Sequence, residues 1–378
     1  MSKTLNFVKK CNKLKNNILL IPGPVTTSIS VKNQMKFDIG SRQHNFVDNI
    51  DKIRKNILDI SQVSSKNYSC ILFQGTGTYT NEAVIGSFPY KSRILTLSNG
   101  IYGDRLYDIS KKLDFNSTIK KFNEFEKINL NSIKSDININ NFDILSLVHH
   151  ETSNGIVNNV EEICKYIKKY NKTIIVDGIS SFGGIPIDIE KNEIDYFVGS
   201  SNKCLHGFPG VSFVIAKKEI LKKNKNYSKS LSLNLYDQYY EFSNNRQFRY
   251  TPPPQIVNAL NKSLEELIEN GGILKRFDLY KKRNTLLRNA LEEYGLESFI
   301  SEKNQGPIMV IFKYPWNNFN FNEFYLRLLN NNIVIYKAEI NNEPAIRLGN
   351  IGEITKEEFD YCIDCIKNEL NNMKKTIN

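Results

Sequence analysis

From about residue 69 the chain alternates short apolar, β-branched runs with stretches in which apolar positions recur every three or four residues. SCILFQ is followed by TNEAVIGSF, SRILTLS by YGDRLYDISKKL, and FDILSLVHH by VEEICKYIKKY, with TIIVDG next. Continuous apolar runs mark strands buried on both faces, and the longer period between them is that of covering helices. The pattern predicts a mostly parallel sheet wrapped by helices. DYFVGS and VSFVIAK add two short strands, the latter as an antiparallel edge or insertion.

Beyond about residue 225 the texture changes to long amphipathic stretches, PPQIVNALNKSLEELIEN and ILKRFDLYKKRNTLLRNALEEYG. GPIMVIFKY, a helix around FNEFYLRLLNNN, IVIYKA, AIRLGN and a closing helix from about Thr355 complete a smaller α+β domain. We divide the chain into a large domain at 18-250 and a small domain at 251-378, with residues 1-17 a short extension. In LLIPGPVTT, Pro22 and Pro24 bracket Gly23, which excludes regular helix, so this segment is expected to cross the surface before helices begin near Ser28.

Composition narrows the function classes. Hydrophobic residues at 40% and charged residues at 24% are ordinary for a globular chain, and no apolar run approaches the roughly 20 residues of a membrane helix. The basic start, MSKTLNFVKKCNKLKNN, lacks the apolar core of a secretory signal, so a cytoplasmic protein is expected. The net charge of +11 is spread along the chain rather than gathered into a stripe, which speaks against a nucleic-acid partner. The six cysteines, at 11, 70, 164, 204, 362 and 365, are scattered. Cys362 and Cys365 have no second pair and no nearby histidine, so they read as small core-facing residues of a helix and no metal site is expected.

In an open α/β sheet ligands bind at the carboxyl ends of the strands, so the turns there carry the chemistry. Gln74-Gly75-Thr76-Gly77-Thr78 lies between a strand and a helix; converging backbone N–H groups, two hydroxyls and a helix start suit a phosphate. Alone it reads equally as a tight turn with a threonine cap. Asp177 ends an apolar strand and needs a cationic or hydrogen-bonding partner, either a following helix start or a pyridinium nitrogen. Lys203 follows DYFVGS within GSSNKCLHG, where desolvation lowers an amine's pKa and makes it a nucleophile toward a carbonyl. By itself Lys203 reads as a solvated surface lysine. Turn, carboxylate and lysine in this order at successive strand ends form a constellation that no one of them makes alone.

Those residues, together with IPGPVTTS (21-28), FQGTGTYTNEAV (73-84), LSNGIYGDR (97-105), HHETSNGI (149-156), VDGISSFGGIPID (176-188), SSNKCLHGFPGVSFVIA (200-216), SLSLNLYDQ (230-238) and RLGNIGE (347-353), carry a resemblance over about residues 18 to 370. The sequence resembles the class V aminotransferases of pyridoxal-phosphate (PLP) fold type I, and within them the 2-aminoethylphosphonate:pyruvate transaminase family. FGGIPID, the SNKC run and RLGNIGE favour that family over the alanine:glyoxylate and serine:pyruvate enzymes. The resemblance implies a seven-stranded, mostly parallel sheet with a smaller α+β domain, and PLP as cofactor. It implies Thr76, Gly77 and Thr78 at the cofactor phosphate, Tyr102 stacked on its ring and Thr152 near its phenolic oxygen. Asp177 would pair with the ring nitrogen, with Asn202 beside Lys203 and Lys203 joined to the cofactor. Arg347 would clamp the carboxylate of pyruvate or alanine. Thr251 would serve the phosphate across a subunit interface, which implies a homodimer. Asp38-Ile39-Gly40-Ser41-Arg42-Gln43 departs from the run found in phosphonate-degrading members; Arg42 reads either as a phosphonate contact or as a surface ion-pair arginine at a helix start. His149 and His150 lie at a strand end, with His150 either a wall of the site or a satisfied core histidine.

Overall fold

The computed structural model describes residues 17–375; most of the N-terminal extension expected at 1-17, and Cys11 with it, lies outside the described residues. Seven strands form the main sheet: β2 (Tyr68–Gly75), β3 (Arg93–Ser98), β4 (Asn116–Lys121), β5 (Ile144–Val148), β6 (Thr173–Asp177), β7 (Tyr196–Ser200) and β8 (Gly210–Lys217). Their spatial order is β2-β8-β7-β6-β5-β3-β4. The run from β7 to β4 is parallel throughout. β8 is an antiparallel insertion between β2 and β7 rather than an edge.

The apolar runs explain the layering. Every residue of ILSLV in β5 and YFVGS in β7 is buried, as a sheet covered on both faces requires. β4, NSTIKK, ends the sheet with no buried residue and two lysines, the usual guard on an open edge. Helices α1 (His44–Ile60), α2 (Gly77–Ile85) and α3 (Ile101–Lys112) turn apolar faces inward, with Ile50, Ile53 and Ile57 of α1 fully buried. α5 (Pro254–Glu269), which follows α4 (Val160–Ile167) in the same layers, places Val257, Leu260, Leu264 and Leu267 in the core of the large sheet.

A second core belongs to the C-terminal part, where α6 (Gly272–Glu292), α7 (Phe321–Asn330) and α8 (Lys356–Lys375) pack on a three-stranded sheet of β9 (Met309–Lys313), β11 (Tyr336–Ile340) and β12 (Glu343–Gly349) in the order β9-β12-β11. Between them β10 (Ile333–Val334) pairs in parallel with β1 (Ile18–Leu19), so the start of the described chain is tied to this part. Cys362 and Cys365 lie on α8, the first buried and the second half-buried. No helix among the described residues is long and apolar enough to cross a membrane.

The IPGPV segment corrects one expectation. It is buried over most of its length, with Leu20, Ile21 and Val25 at most 4% exposed, and reaches the surface only at Pro24. The chain is threaded between β12 and Lys203, and both contacts depend on glycine. A Cβ on Gly349 would fall 2.3 Å from the Ile21 carbonyl carbon, and one on Gly23 would fall 2.5 Å from Lys203 Nζ. Apolar side chains flanking a glycine gain more from burial than an exposed crossing would give them. Helix does begin where expected, with Ser28 accepting the Val31 N–H at the start of Ile29–Asn33.

Candidate active site

The carboxyl ends of β2, β5, β6 and β7 converge on a cavity of about 250 Å3. Thr76, Gly77 and Thr78, Tyr102 and Thr152, and Asp177, Asn202 and Lys203 all line it. Eight of the residues singled out in the sequence thus face one space, although they are spread over 128 positions of the chain from Thr76 to Lys203. His150 also lines the cavity, which decides its reading as a wall.

The turn Gly75-Thr76-Gly77 works as its composition suggests. Gly75 adopts φ +115°, a conformation that side chains disfavour. A Cβ on Gly77 would meet Ile179 Cδ1 at 2.4 Å, so any larger residue would have to displace the Ile179 side chain where the start of α2 meets the loop after β6. Thr76 stands extended at the N-cap position with its side chain making no capping bond, which leaves its hydroxyl and the first N–H groups of α2 for a ligand. Ser212 Oγ holds the Thr76 carbonyl at 3.1 Å from the adjacent strand.

Asp177 is buried, 5% exposed. Its Oδ1 accepts the Ile179 N–H at 2.9 Å and its Oδ2 accepts Asn81 Nδ2 at 2.6 Å. Burial pushes its pKa above the usual carboxylate value, against the opposing pull of these two donors and of the Arg105 and Lys203 charges. Lys203 follows β7 in a tight turn, with its carbonyl accepting the His206 N–H at 2.9 Å. Burial, and then the nearby Arg347 charge, bring its amine down to about 8. An amine so placed is still mostly protonated near pH 7, yet its neutral, nucleophilic fraction is far larger than that of an ordinary lysine.

Arg347, on β12, donates from Nη1 to the carbonyl of the cavity-lining Thr152 at 3.0 Å; its Nε is buried without a partner among the described residues. Two other expected residues lie elsewhere. Arg42 is exposed in the turn before α1 and makes no ion pair among the described residues. Thr251 is exposed ahead of α5 and does not line the cavity of its own chain.

Three residues that sequence reasoning passed over matter here. Glu151 is fully buried, and its carboxylate accepts the N–H groups of Tyr102 and Gly103 at 3.4 and 3.1 Å and the Ser153 hydroxyl at 2.6 Å. Arg105 lines the cavity with its guanidinium 4.7 Å from the Tyr102 ring centroid. Asn81 holds Asp177. The signal for Asn81 was a polar residue four positions after Gly77, on the helix face that must meet the sheet. For Glu151 it was an acidic residue just after an apolar strand.

The family model for aminotransferase class-V matches residues 28–351. The chain belongs to the class V aminotransferases. This class V aminotransferase is 36% identical over 352 residues to proteins named 2-aminoethylphosphonate--pyruvate transaminase from Bacillus thuringiensis (strain Al Hakam) and Bacillus anthracis; the match covers 92% of this chain and 96% of each relative. Its fold is that of an alanine--glyoxylate aminotransferase from Nostoc sp., with a TM-score of 0.86 at 22% identity over 95% of this chain and 97% of the other. A PLP-bound phosphoserine aminotransferase from Trichomonas vaginalis shares the fold at a TM-score of 0.77 and 15% identity, over 93% of this chain and 100% of that one. Membership in this family implies PLP as the cofactor.

Proposed function

We propose that the protein interconverts 2-aminoethylphosphonate and pyruvate with phosphonoacetaldehyde and L-alanine. The observation that carries the substrate assignment is the 36% identity, sustained over nearly the full length of both chains, to transaminases of that name. The cavity fits the cofactor. Its volume, about 250 Å3, is close to the lower end of ligand pockets, about 300 Å3. A turn offering N–H groups and hydroxyls suits the phosphate, an amine of lowered pKa the aldehyde, and a buried carboxylate without a cationic hydrogen-bond partner the ring nitrogen. We assign Thr76, Gly77 and Thr78 to the phosphate, Tyr102 to the ring face and Thr152 to the phenolic oxygen, with Asn202 beside Lys203.

Bound there, PLP supplies the electron sink of transamination. The chain's residues do the rest. Lys203 Nζ would hold the cofactor and would move a proton to or from the amine-bearing carbon of the substrate. Asp177 keeps the ring nitrogen protonated. Arg347, already turned toward Thr152, meets the carboxylate of pyruvate with two parallel N–H groups and orients its keto carbon toward Lys203. Thr251 is assigned to the cofactor phosphate of the other subunit in a homodimer, in keeping with its exposure and its absence from its own cavity. The five described cysteines are all unpaired, which supports a reducing, cytoplasmic setting.

The test is purified protein supplied with 2-aminoethylphosphonate and pyruvate, following alanine formation and the visible absorbance of the cofactor. Alanine forming faster than with taurine, serine or β-alanine as donor supports the assignment. A coloured protein that turns over only another amine overturns the substrate and leaves the cofactor site standing. Turnover of serine or alanine with glyoxylate as acceptor, and none of 2-aminoethylphosphonate, would indicate the alternative, a transaminase of the alanine:glyoxylate kind.

A further inference from the structure

Asp177 is held from a side that anchoring a strand end does not require. Asn81 lies on α2, 2% exposed, and donates from Nδ2 to Asp177 Oδ2 at 2.6 Å. Its Oδ1 is buried and has no hydrogen-bond partner among the described residues. An ionised carboxylate only accepts, so the amide must turn its NH2 toward Asp177 and its oxygen away, whatever that oxygen then faces. An unpaired buried amide oxygen is destabilising, and an apolar side chain in this helix position would avoid it. The compensating interaction is a short charge-assisted bond to a buried carboxylate. With the Ile179 N–H on Oδ1 at 2.9 Å, each carboxylate oxygen has one fixed donor and keeps further acceptor capacity, and both residues line the cavity.

We propose that Asn81 is a positioning residue for the aminotransferase reaction, fixing the Asp177 carboxylate in ionised form and in orientation so that the cofactor's pyridine nitrogen keeps its proton. The proposal rests on the cofactor site assigned above. A carboxylate that accepts two fixed hydrogen bonds is a weaker base than one that accepts a single bond, so a proton shared with a pyridine nitrogen stays on the nitrogen. Without Asn81 the carboxylate becomes more basic and free to rotate on one side. The proton moves toward the carboxyl group and the ring loses the charge that draws electrons from the reacting carbon. Arg105 and Lys203 also act on Asp177 through space, but neither hydrogen bonds to it among the described residues.

The experiment is the full-length enzyme reconstituted with PLP labelled with 15N at the ring nitrogen, as wild type, Asn81→Val and Asn81→Ser. The expected result is a wild-type ring-nitrogen resonance in the protonated range, a shift toward neutral pyridine in Asn81→Val and a smaller shift in Asn81→Ser, whose hydroxyl is a shorter donor. kcat should fall about tenfold or more in Asn81→Val, as loss of a hydrogen bond to a charged group predicts, while KM for both substrates changes less than about twofold. A ring-nitrogen resonance in Asn81→Val that matches wild type overturns the proposal, even if kcat drops through altered packing. Should Asn81→Val fail to fold, an unshifted resonance in Asn81→Ser overturns it equally. Wild-type protein that takes up no labelled cofactor removes the site assignment itself, and this proposal with it.

Discussion

Lys203 shows how placement alters a common side chain. Its amine, brought to about 8 by burial and by Arg347, would in water be protonated well above neutrality. The neutral amine is the form that attacks an aldehyde, and the depressed value means this form accumulates as pH rises toward 8. Capture of PLP by cofactor-free protein should therefore accelerate about tenfold per pH unit from pH 6 to 7, bend near 8 and level off above it. Stopped-flow absorbance over pH 6 to 9.5 checks this, and a bend near the ordinary lysine value would mean that the amine is not desolvated. Lys203→Ala should give no capture and no turnover at any pH. At this scale the sequence was informative where a residue's chemistry was unusual for its position, as with a lysine among small residues or a carboxylate ending an apolar strand. For Asn81 and Glu151 it offered only a polar residue on an inward helix face and an acidic residue after a strand, because their roles arise when α2 meets β6 and when the loop after β5 meets α3. Such contacts join residues 96 and 48 positions apart, and the local pattern does not name the partner.

At the scale of elements, the site depends on how α3 begins. The first N–H groups of a helix lack partners within it. Here the Glu151 carboxylate, from the segment after β5, accepts two of them, those of Tyr102 and Gly103, and places Tyr102 over the cavity. A Cβ on Gly100 would strike Glu151 Cγ at 2.5 Å, so this close seating also requires glycine just before the helix. Glu151→Ala should leave these donors and the Ser153 hydroxyl without their acceptor, lowering stability by about 2–4 kcal/mol. Glu151→Gln, which keeps one acceptor oxygen, should lose less. Urea denaturation of the two variants gives the comparison, and equal stabilities for Ala and Gln would show that the carboxylate is not what holds the helix start. The order of elements was readable because each of these strands is a continuous apolar run between turn residues. The position of β8 was not: its insertion between β2 and β7 depends on pairing residues that lie far apart in the chain, such as Ala216 with Ser69. The IPGPV segment misled for a related reason, since its burial follows from two glycines meeting Lys203 and Ile21 across the fold.

For the whole molecule, burial of titratable groups sets how the fold responds to acid. His149, His150 and His206 are each at most 4% exposed, and burial brings them down to about 4, 3 and 3. Gly352 N–H donates to His206 Nε2 at 3.1 Å, so that nitrogen carries no proton in the folded chain. In the unfolded chain the three take up protons near pH 6.5, whereas in the folded chain they stay neutral until about pH 4 or below. The unfolded state therefore binds more protons between these values, and stability falls as pH falls through that window, by about 1.4 kcal/mol per pH unit for each histidine. Asp177, Glu151 and Asp195 act with the opposite sign. Burial raises their pKa values, so the folded chain binds their protons first and part of the loss is offset toward the acid end. The urea midpoint of cofactor-free protein should accordingly drop from pH 7 to pH 5, most steeply between 6 and 5. His206 sits at φ +62°, a conformation asparagine tolerates, so His206→Asn is the informative variant. It should lower stability at pH 7 through loss of the bonds to Tyr280 and Gly352, yet reduce the slope of stability against pH by about 1.4 kcal/mol per unit. An unchanged slope would mean that His206 takes up its proton in the folded state, and the buried junction between the Lys203 turn and the RLGNIGE segment would then have to admit a charge.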